Sequence, residues 1–266
     1  MKRDLAETMP SSMEIRSSNP VLNQKFWSNL VGQERMTFEG CMRKIGFLLS
    51  LAIVSALLSA VVCLNALSNE TGGMVLYGLM SLGFIGGFIV ALIVMIKRPQ
   101  NPVGLMSLYA ILEGVAIGAF SLFFELTAYS GIAMQAVFGT MAITAVMYGM
   151  YASRIIRPTP AFNKIVGGLV MSILALYLIS FFLQLLTPYD VPFLHTAGPY
   201  GIALTAFILV VASLTLISDF GFIESGVRYG APKNMEWYAA FGILMSVLWI
   251  YIETVRLLGK LSAYRD

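Results

Sequence analysis

The stretch IGFLLSLAIVSALLSAVVCLNAL, residues 45–67, contains no charged side chain. A helix needs about 20 mostly apolar residues to cross the hydrocarbon core of a bilayer, so this stretch predicts a membrane-spanning helix. Six further stretches of similar length and polarity follow it, and such long apolar stretches exclude the alternating strands of a membrane barrel. The sequence therefore predicts an all-α polytopic membrane protein, a bundle of seven transmembrane helices. The predicted spans are 45–67, 74–96, 103–124, 131–152, 165–187, 197–220 and 238–258.

The composition agrees with a membrane protein and argues against a soluble one. Of the 266 residues, 58% are hydrophobic and 12% are charged, whereas a soluble domain carries about 25% charged residues. Residues 41–266 are predicted to form one membrane domain surrounded by lipids, and residues 1–40 a polar cytoplasmic tail. The Phe26-Trp27 pair in the tail could instead mark a short interfacial helix. The net charge of +3 is too small and too scattered to favour nucleic acid as a partner.

Lysine and arginine alternate between the predicted loops. Seven precede the first span, none lies between spans one and two, and the next two are Lys97 and Arg98. The alternation continues to Arg228 and Lys233 between spans six and seven, which places the N-terminus in the cytoplasm by the positive-inside rule. Three basic residues near the C-terminus break the pattern if span seven crosses fully, so a re-entrant or half-inserted span seven is the alternative. They are Arg256, Lys260 and Arg265.

Two pairs of glycines at four-residue spacing predict close packing between helices. Gly83 and Gly87 lie in span two, and Gly114 and Gly118 lie in span three. Small residues at this spacing let two helix backbones approach each other in lipid. The pairs indicate a compact bundle and carry no information about a substrate.

The two cysteines, Cys41 and Cys63, lie at the two ends of the first apolar stretch. A helix would separate them by about 33 Å, which is too far for a disulfide between them. One is predicted to be a juxtamembrane thiol and the other a small buried hydrophobic residue.

Several membrane enzymes and carriers need side chains that this sequence does not contain. His195 is the single histidine, which excludes an intramembrane zinc protease with paired histidines and a bis-histidine haem protein. His195 precedes span six and is predicted to lie at the surface. No G-x-S-x-G nucleophile motif and no P-loop motif is present. We therefore expect no enzymatic activity and no tightly bound cofactor.

A few ionisable residues lie within the predicted spans: Glu113 in span three, Asp219 at the end of span six, and Glu253 with Arg256 in span seven. A charge at the bilayer centre costs about 2.5–3.5 kcal/mol on insertion scales, so such residues usually face the protein interior and mark ion or proton paths. Asp219 or Glu253 could instead lie at the interface, with Glu253 paired to Arg256. Glu113 could be a protonated carboxyl that is hydrogen-bonded inside the bundle.

The three carboxylates are predicted to form a ladder across the membrane. Counted along the helices, Glu113 lies near the midplane, Asp219 near the cytoplasmic end and Glu253 near the opposite face. Carboxylates are ligands of hard cations such as calcium, and burial disfavours their charged form, so ion occupancy should depend on pH. The pattern predicts a proton-sensitive cation path lined by Glu113 and Asp219, with Asp219 and Glu253 as candidate metal ligands. A proton relay fits the same pattern equally well.

Several motifs resemble one family of membrane proteins. They are the Asn101-Pro102 turn followed by Glu113-Gly114 in span three, the ending SDFGFIESG of span six at 218–226, and the closing WIYIETVRLL at 249–258. Together with the order of seven spans, they resemble the Bax inhibitor-1 family over about residues 40–260. The long N-terminal tail and the GAPKNMEWYAAFG segment resemble the bacterial branch of that family, which implies a bacterial plasma membrane.

The resemblance implies a pH-sensitive calcium leak channel, with calcium as the transported species. Two acids, one ending span six and one in span seven, would share a proton and govern opening. Asp219 matches the first acid. For the second, the aromatic-x-acid pattern points to Glu253, with Arg256 as a latch on it, whereas spacing from Asp219 points near Ser246. The family is also associated with a regulatory role, in which the protein binds partners such as membrane proteases or stress-response proteins.

Overall fold

The computed structural model describes residues 34–68, 71–187, 191, 193–194 and 196–265. These residues form seven α-helices, each long and apolar enough to cross a membrane, and the β-structure among them is one isolated bridge between Arg35 and Pro232. The prediction of an all-α bundle of seven transmembrane helices is confirmed. The helices are α1 (Phe38–Ala66), α2 (Gly72–Lys97), α3 (Val103–Thr127), α4 (Ile132–Ala152), α5 (Pro160–Leu186), α6 (Pro199–Arg228) and α7 (Met235–Arg265).

The helices alternate in direction, which defines two faces of the bundle. The starts of α1, α3, α5 and α7 and the ends of α2, α4 and α6 lie on one side, which we call the N-terminal face, and the other side is the opposite face. Thr37, just before α1, contacts Glu236 at the start of α7. Tyr238, also near the start of α7, donates to the carbonyl of Pro99 just after α2. Most of the basic loop residues therefore lie on the N-terminal face.

Three helices, α3, α6 and α7, form the centre of the bundle. In the apolar part of each helix, 50% of the residues of α3 and 56% of those of α6 and α7 are buried, against 17% for α4 and α5. α1 packs along α3, α3 along α2, and α6 along α7. The acids predicted to matter, Glu113, Asp219 and Glu253, all belong to the three central helices.

α6 is longer than predicted, and this changes the position of Asp219. The helix continues to Arg228, beyond the predicted end at residue 220. The extension is stabilised because Phe222 and Ile223 are buried in the bundle and Glu224 pairs with Arg228 one turn later at 2.6 Å. Asp219 therefore lies about two and a half turns inside the helix. The predicted helix end at residue 220 is eight residues too early.

α7 is one continuous helix of 31 residues, about 46 Å long. It reaches as far as the end of α3, where Gly259 packs against the ring of Phe124 so closely that a larger residue would not fit. A re-entrant span needs a break in the helix, and α7 has none.

The predicted glycine pairs do bring helices together. Gly83 packs against the backbone of Leu112, and Gly87 of the same helix packs against the side chain of Glu113. On another side of α3, Gly114 and Gly118 pack against the backbone of α1 at Ala52 and Ala56. A Cβ atom at any of these glycines would overlap its neighbour, so the contacts of α3 with α1 and α2 depend on them.

The two cysteines are free and fully buried. The absence of a disulfide between them is confirmed, and so is the buried position of Cys63. Cys41 was expected to be a juxtamembrane thiol, but in the first turn of α1 it is covered by the start of α7 and is as buried as Cys63.

We expect Gly83→Val to destabilise the protein by about 1–3 kcal/mol, because its side chain would enter the backbone of α3. Gly78→Val is the matched control, since Gly78 lies in the same helix and a Cβ there meets open space. The measurement is the free energy of unfolding in detergent. Equal stability of the two variants would contradict the proposed role of Gly83 in packing.

Candidate functional site

Asp219 lies at the centre of a polar network that joins α6 to α7. Its side chain is almost fully buried, with 1% of its surface exposed. The hydroxyl of Ser246 in α7 donates to Oδ2 of Asp219 at 2.6 Å. Ser246 is the position that spacing from Asp219 predicted as the partner of this acid. The residue there is a hydroxyl donor and not a second carboxylate.

Two further hydroxyls extend this network. Thr215, one turn before Asp219, has its Oγ1 3.0 Å from the Ser246 hydroxyl and 2.6 Å from the carbonyl oxygen of Ala212. On the other side, Ser218 donates to Oδ1 of Asn163 in α5 at 2.8 Å. The surroundings of Asp219 therefore connect three helices, α5, α6 and α7.

Glu253 lies on a different level from Asp219. It follows Ser246 by seven residues, which is about 10 Å further along α7 toward the opposite face. Asp219 meets α7 at Ser246, so the two predicted acids do not form one pair of adjacent carboxylates. Among the described residues, no group of three or more His, Cys, Asp or Glu side chains could hold a metal ion.

Glu253 belongs to a second buried cluster. Its side chain is 1% exposed, so protein surrounds it on all sides. Tyr177 of α5 donates to Oε1 of Glu253 at 2.7 Å, and Arg256 pairs with the same oxygen at 3.4 Å. Arg256 also donates to the Tyr177 hydroxyl and lies over the ring of that tyrosine. The predicted pairing of Glu253 with Arg256 is confirmed, while Oε2 of Glu253 is buried with no hydrogen-bond partner among the described residues.

Glu113 occupies a third position, on α3. Its carboxylate fills the space beside Gly87 of α2, and 9% of the residue is exposed. Glu113 lies about 15 Å from the start of α3 and Asp219 about 13 Å from the end of α6, both measured from the N-terminal face. By this count Glu113 and Asp219 lie at similar distances from the N-terminal face, and Glu253 lies deeper in the bundle.

A family model described as Bax inhibitor 1 like matches residues 19–263 of the chain. The chain belongs to this family. Comparison with curated proteins gives no match. Family membership and seven apolar helices make it an integral membrane protein. The bacterial branch, the bacterial inner membrane and the cytoplasmic N-terminus stay predictions, and Phe26, Trp27 and His195 lie outside the described residues.

Lys260 of this Bax inhibitor-1-like protein was not predicted as a site residue, but it fastens a loop to α7. Its ammonium group donates to the carbonyl oxygens of Leu194 at 2.8 Å and Gly201 at 3.1 Å, and to the hydroxyl of Thr205 at 2.8 Å. Arg256 donates to the same Leu194 carbonyl at 3.3 Å. The sequence contains one signal for this cluster, because Glu253, Arg256 and Lys260 are spaced three and four residues apart on one helix face.

This cluster accounts for two of the three C-terminal basic residues that break the alternation of charges, Arg256 and Lys260. Lys260 is 8% exposed, and its three donor positions are occupied by protein oxygens. Arg256 is likewise paired inside the bundle. A cation that is already bound within the protein does not act as a free loop charge, so the positive-inside pattern need not include it.

We expect Lys260→Met to loosen the segment at the start of α6. The substitution removes the ammonium group that donates to the carbonyls of Leu194 and Gly201 and to the Thr205 hydroxyl, and each buried hydrogen bond lost in this way costs about 1–3 kcal/mol or less. Amide hydrogen exchange of residues 199–205 should become faster. Lys164→Met is the control, because Lys164 is an exposed cation on the N-terminal face. Unchanged exchange in Lys260→Met would show that the three hydrogen bonds do not hold this segment.

Proposed function

We propose that this protein is a pH-sensitive calcium leak channel, gated by protonation of carboxylates within the membrane. The observation that carries the proposal is the buried carboxylate of Asp219, which is hydrogen-bonded across α6 and α7 by Ser246. Membership in the Bax inhibitor 1 like family supports the same function. Ionisable groups at membrane depth commonly mark ion or proton paths.

The network around Asp219 offers a physical basis for pH sensing. When Asp219 is ionised, Ser246 donates to it, and Ser246 can in turn accept the hydrogen of Thr215. When Asp219 is protonated, it donates to Ser246, and the direction of the hydrogen bonds reverses. Ser246 then donates to Thr215, and the hydroxyl of Thr215 donates to the carbonyl of Ala212. Each hydroxyl hydrogen has an acceptor in both settings. One proton can therefore reset the contact between α6 and α7 without leaving a buried donor unpaired.

We assign the other acids to the same path. Glu113 lines the path on α3, at about the depth of Asp219. Glu253 lies deeper, and Arg256 acts as a latch on it through the ion pair and Tyr177. Calcium is the transported species and not a tightly bound cofactor, and Asp219 and Glu253 are its candidate ligands at two successive positions. Two separated carboxylates suit a conducted ion, because conduction requires binding weak enough for the ion to leave.

The remaining features of the proposal follow from the sequence. The protein has no enzymatic activity, and it lies in a bacterial plasma membrane with its N-terminus in the cytoplasm. Basic residues of the N-terminal face, including Lys97, Arg98 and Lys233, support this orientation. A regulatory role through protein partners is the alternative that a failed flux experiment would favour.

The proposal predicts calcium flux into proteoliposomes that depends on pH in the wild type, tested over roughly pH 6 to 8, and a flux in Asp219→Asn that does not. Asparagine cannot ionise, so the network stays in one setting. Glu224→Gln is the control on the same helix, because Glu224 is half exposed and pairs only with neighbours on the N-terminal face. Absent flux, or the same pH profile in wild type and Asp219→Asn, would refute the channel proposal.

A separate prediction concerns the deeper carboxylate. Glu253→Gln removes the charge that holds Arg256, while Tyr177 can still donate to the amide oxygen. If Arg256 acts as a latch, the calcium flux at fixed pH should change by about tenfold or more, since removing one partner of a buried pair costs about 3–5 kcal/mol. Flux equal to that of the wild type at every pH would remove Glu253 from the mechanism.

A further inference from the structure

The start of α7 is fastened to the start of α1 by a buried carboxylate. Glu236 is the second residue of α7 and has no exposed surface. Its Oε1 accepts the backbone N–H of Thr37 at 2.9 Å and the hydroxyl of Thr37 at 3.0 Å. Its Oε2 accepts a hydrogen bond from the ammonium group of Lys44. We call Thr37, Gly40, Lys44 and Glu236 the clamp.

The geometry of the clamp requires a glycine and an aromatic ring. A Cβ atom at position 40 would overlap the Glu236 carboxylate, so the acid reaches α1 only because Gly40 has no side chain. Lys44 lies 5.3 Å from the centre of the Trp237 ring, which gives its charge a second partner on α7. Both helices thus contribute residues that serve this one contact.

The polypeptide just before α1 is also paired with the loop before α7. The backbone N–H of Met36 donates to Ala231 at 2.6 Å, and that of Lys233 donates to Glu34 at 2.9 Å. These bonds flank the isolated bridge between Arg35 and Pro232. Residues 34–37 are therefore held to the loop before α7 by backbone hydrogen bonds next to the clamp.

A buried ion pair such as Lys44 with Glu236 is weak evidence for stability. Removing two charges from water costs several kcal/mol per ion, and their attraction often does no more than offset it. Such pairs are better attested as devices that fix the register of two elements or switch between two arrangements. On α7, Glu236 precedes Ser246 by ten residues, about 15 Å along one unbroken helix.

We propose that the clamp is a conformational switch that couples the start of α1 to α7. In the closed state Glu236 holds the start of α7 against α1 and so fixes the level at which Ser246 meets Asp219. In the open state the contacts of Glu236 with Thr37 and Lys44 are released and α7 can shift. The effect on calcium flux rests on the proposed function, whereas the opening of the clamp does not.

Cys41 provides a reporter of clamp opening within the natural sequence. It lies in α1 between Gly40 and Lys44 and is fully buried beside α7. With Cys63→Ser as the background, Cys41 is the single thiol of the chain. The rate at which N-ethylmaleimide modifies it in the full-length protein then measures how often the clamp opens.

We expect Glu236→Gln and Lys44→Met each to increase the modification rate of Cys41 by about tenfold or more, because each removes one partner of a buried pair. The double variant should be no faster than the faster single variant, since both act on one contact. Glu224→Gln, an exposed acid on the same face, should leave the rate unchanged. Unchanged rates in both clamp variants, or independent effects that multiply, would overturn the switch.

Thr37→Val keeps the test decisive if Glu236→Gln does not fold. It removes the hydroxyl that donates to Oε1 and that accepts the Gly40 N–H at the start of α1, and it leaves both charges in place, so we expect a smaller increase, about threefold to tenfold. No increase in this folded variant would overturn the proposal.

Calcium flux at fixed pH separates this proposal from the proposed function. We expect the clamp variants to change the flux while the pH dependence that requires Asp219 persists. Faster modification of Cys41 with unchanged flux would overturn the coupling to α7. Absent flux in the wild type would refute the channel proposal, while the modification rates would still decide whether the clamp opens.

Discussion

The structure depends on one constraint: a charged side chain taken into the bundle must find its partner on another element. Asp219 is met by Ser246 across α6 and α7, Glu253 by Tyr177 of α5, and Glu236 by Lys44 of α1. An unpaired charge in a medium of low polarity costs far more than an ordinary packing defect. These contacts therefore determine the axial position of α7 relative to three neighbouring helices, even where their net contribution to stability is small.

The helices could be predicted from the sequence because each has its own long apolar stretch, and the glycine pairs correctly indicated close packing around α3. The helix ends could not. Residues 221–228 and 259–265 mix polar and apolar side chains, and the first residues of each stretch, 221–223 and 259–260, are buried against protein. Hydropathy measures only the average polarity of a segment, so it cannot detect a polar helix end that is buried against a neighbour.

Most partners of the buried charges could not be predicted from the sequence. Glu253 with Arg256 was predictable because the two residues are one turn apart on one helix. Glu236 with Lys44 and Lys260 with Leu194 join positions separated by 192 and 66 residues. Both Glu236 and Lys260 also lie just outside the predicted span seven, 238–258, so hydropathy does not identify them as charges at membrane depth. Only the packing of the helices reveals that these end residues are buried.

α7 is a single unbroken helix that meets its neighbours at three successive levels, through Glu236, Ser246 and the pair Glu253 with Arg256. Because α7 is a stiff helix, an axial shift of α7 at one of these levels also moves it at the other two. Energetic coupling between sites is reciprocal, so each site affects the other by the same free energy. If opening of the clamp changes the affinity of Asp219 for its proton, then protonation of Asp219 must change the opening equilibrium of the clamp by the same factor.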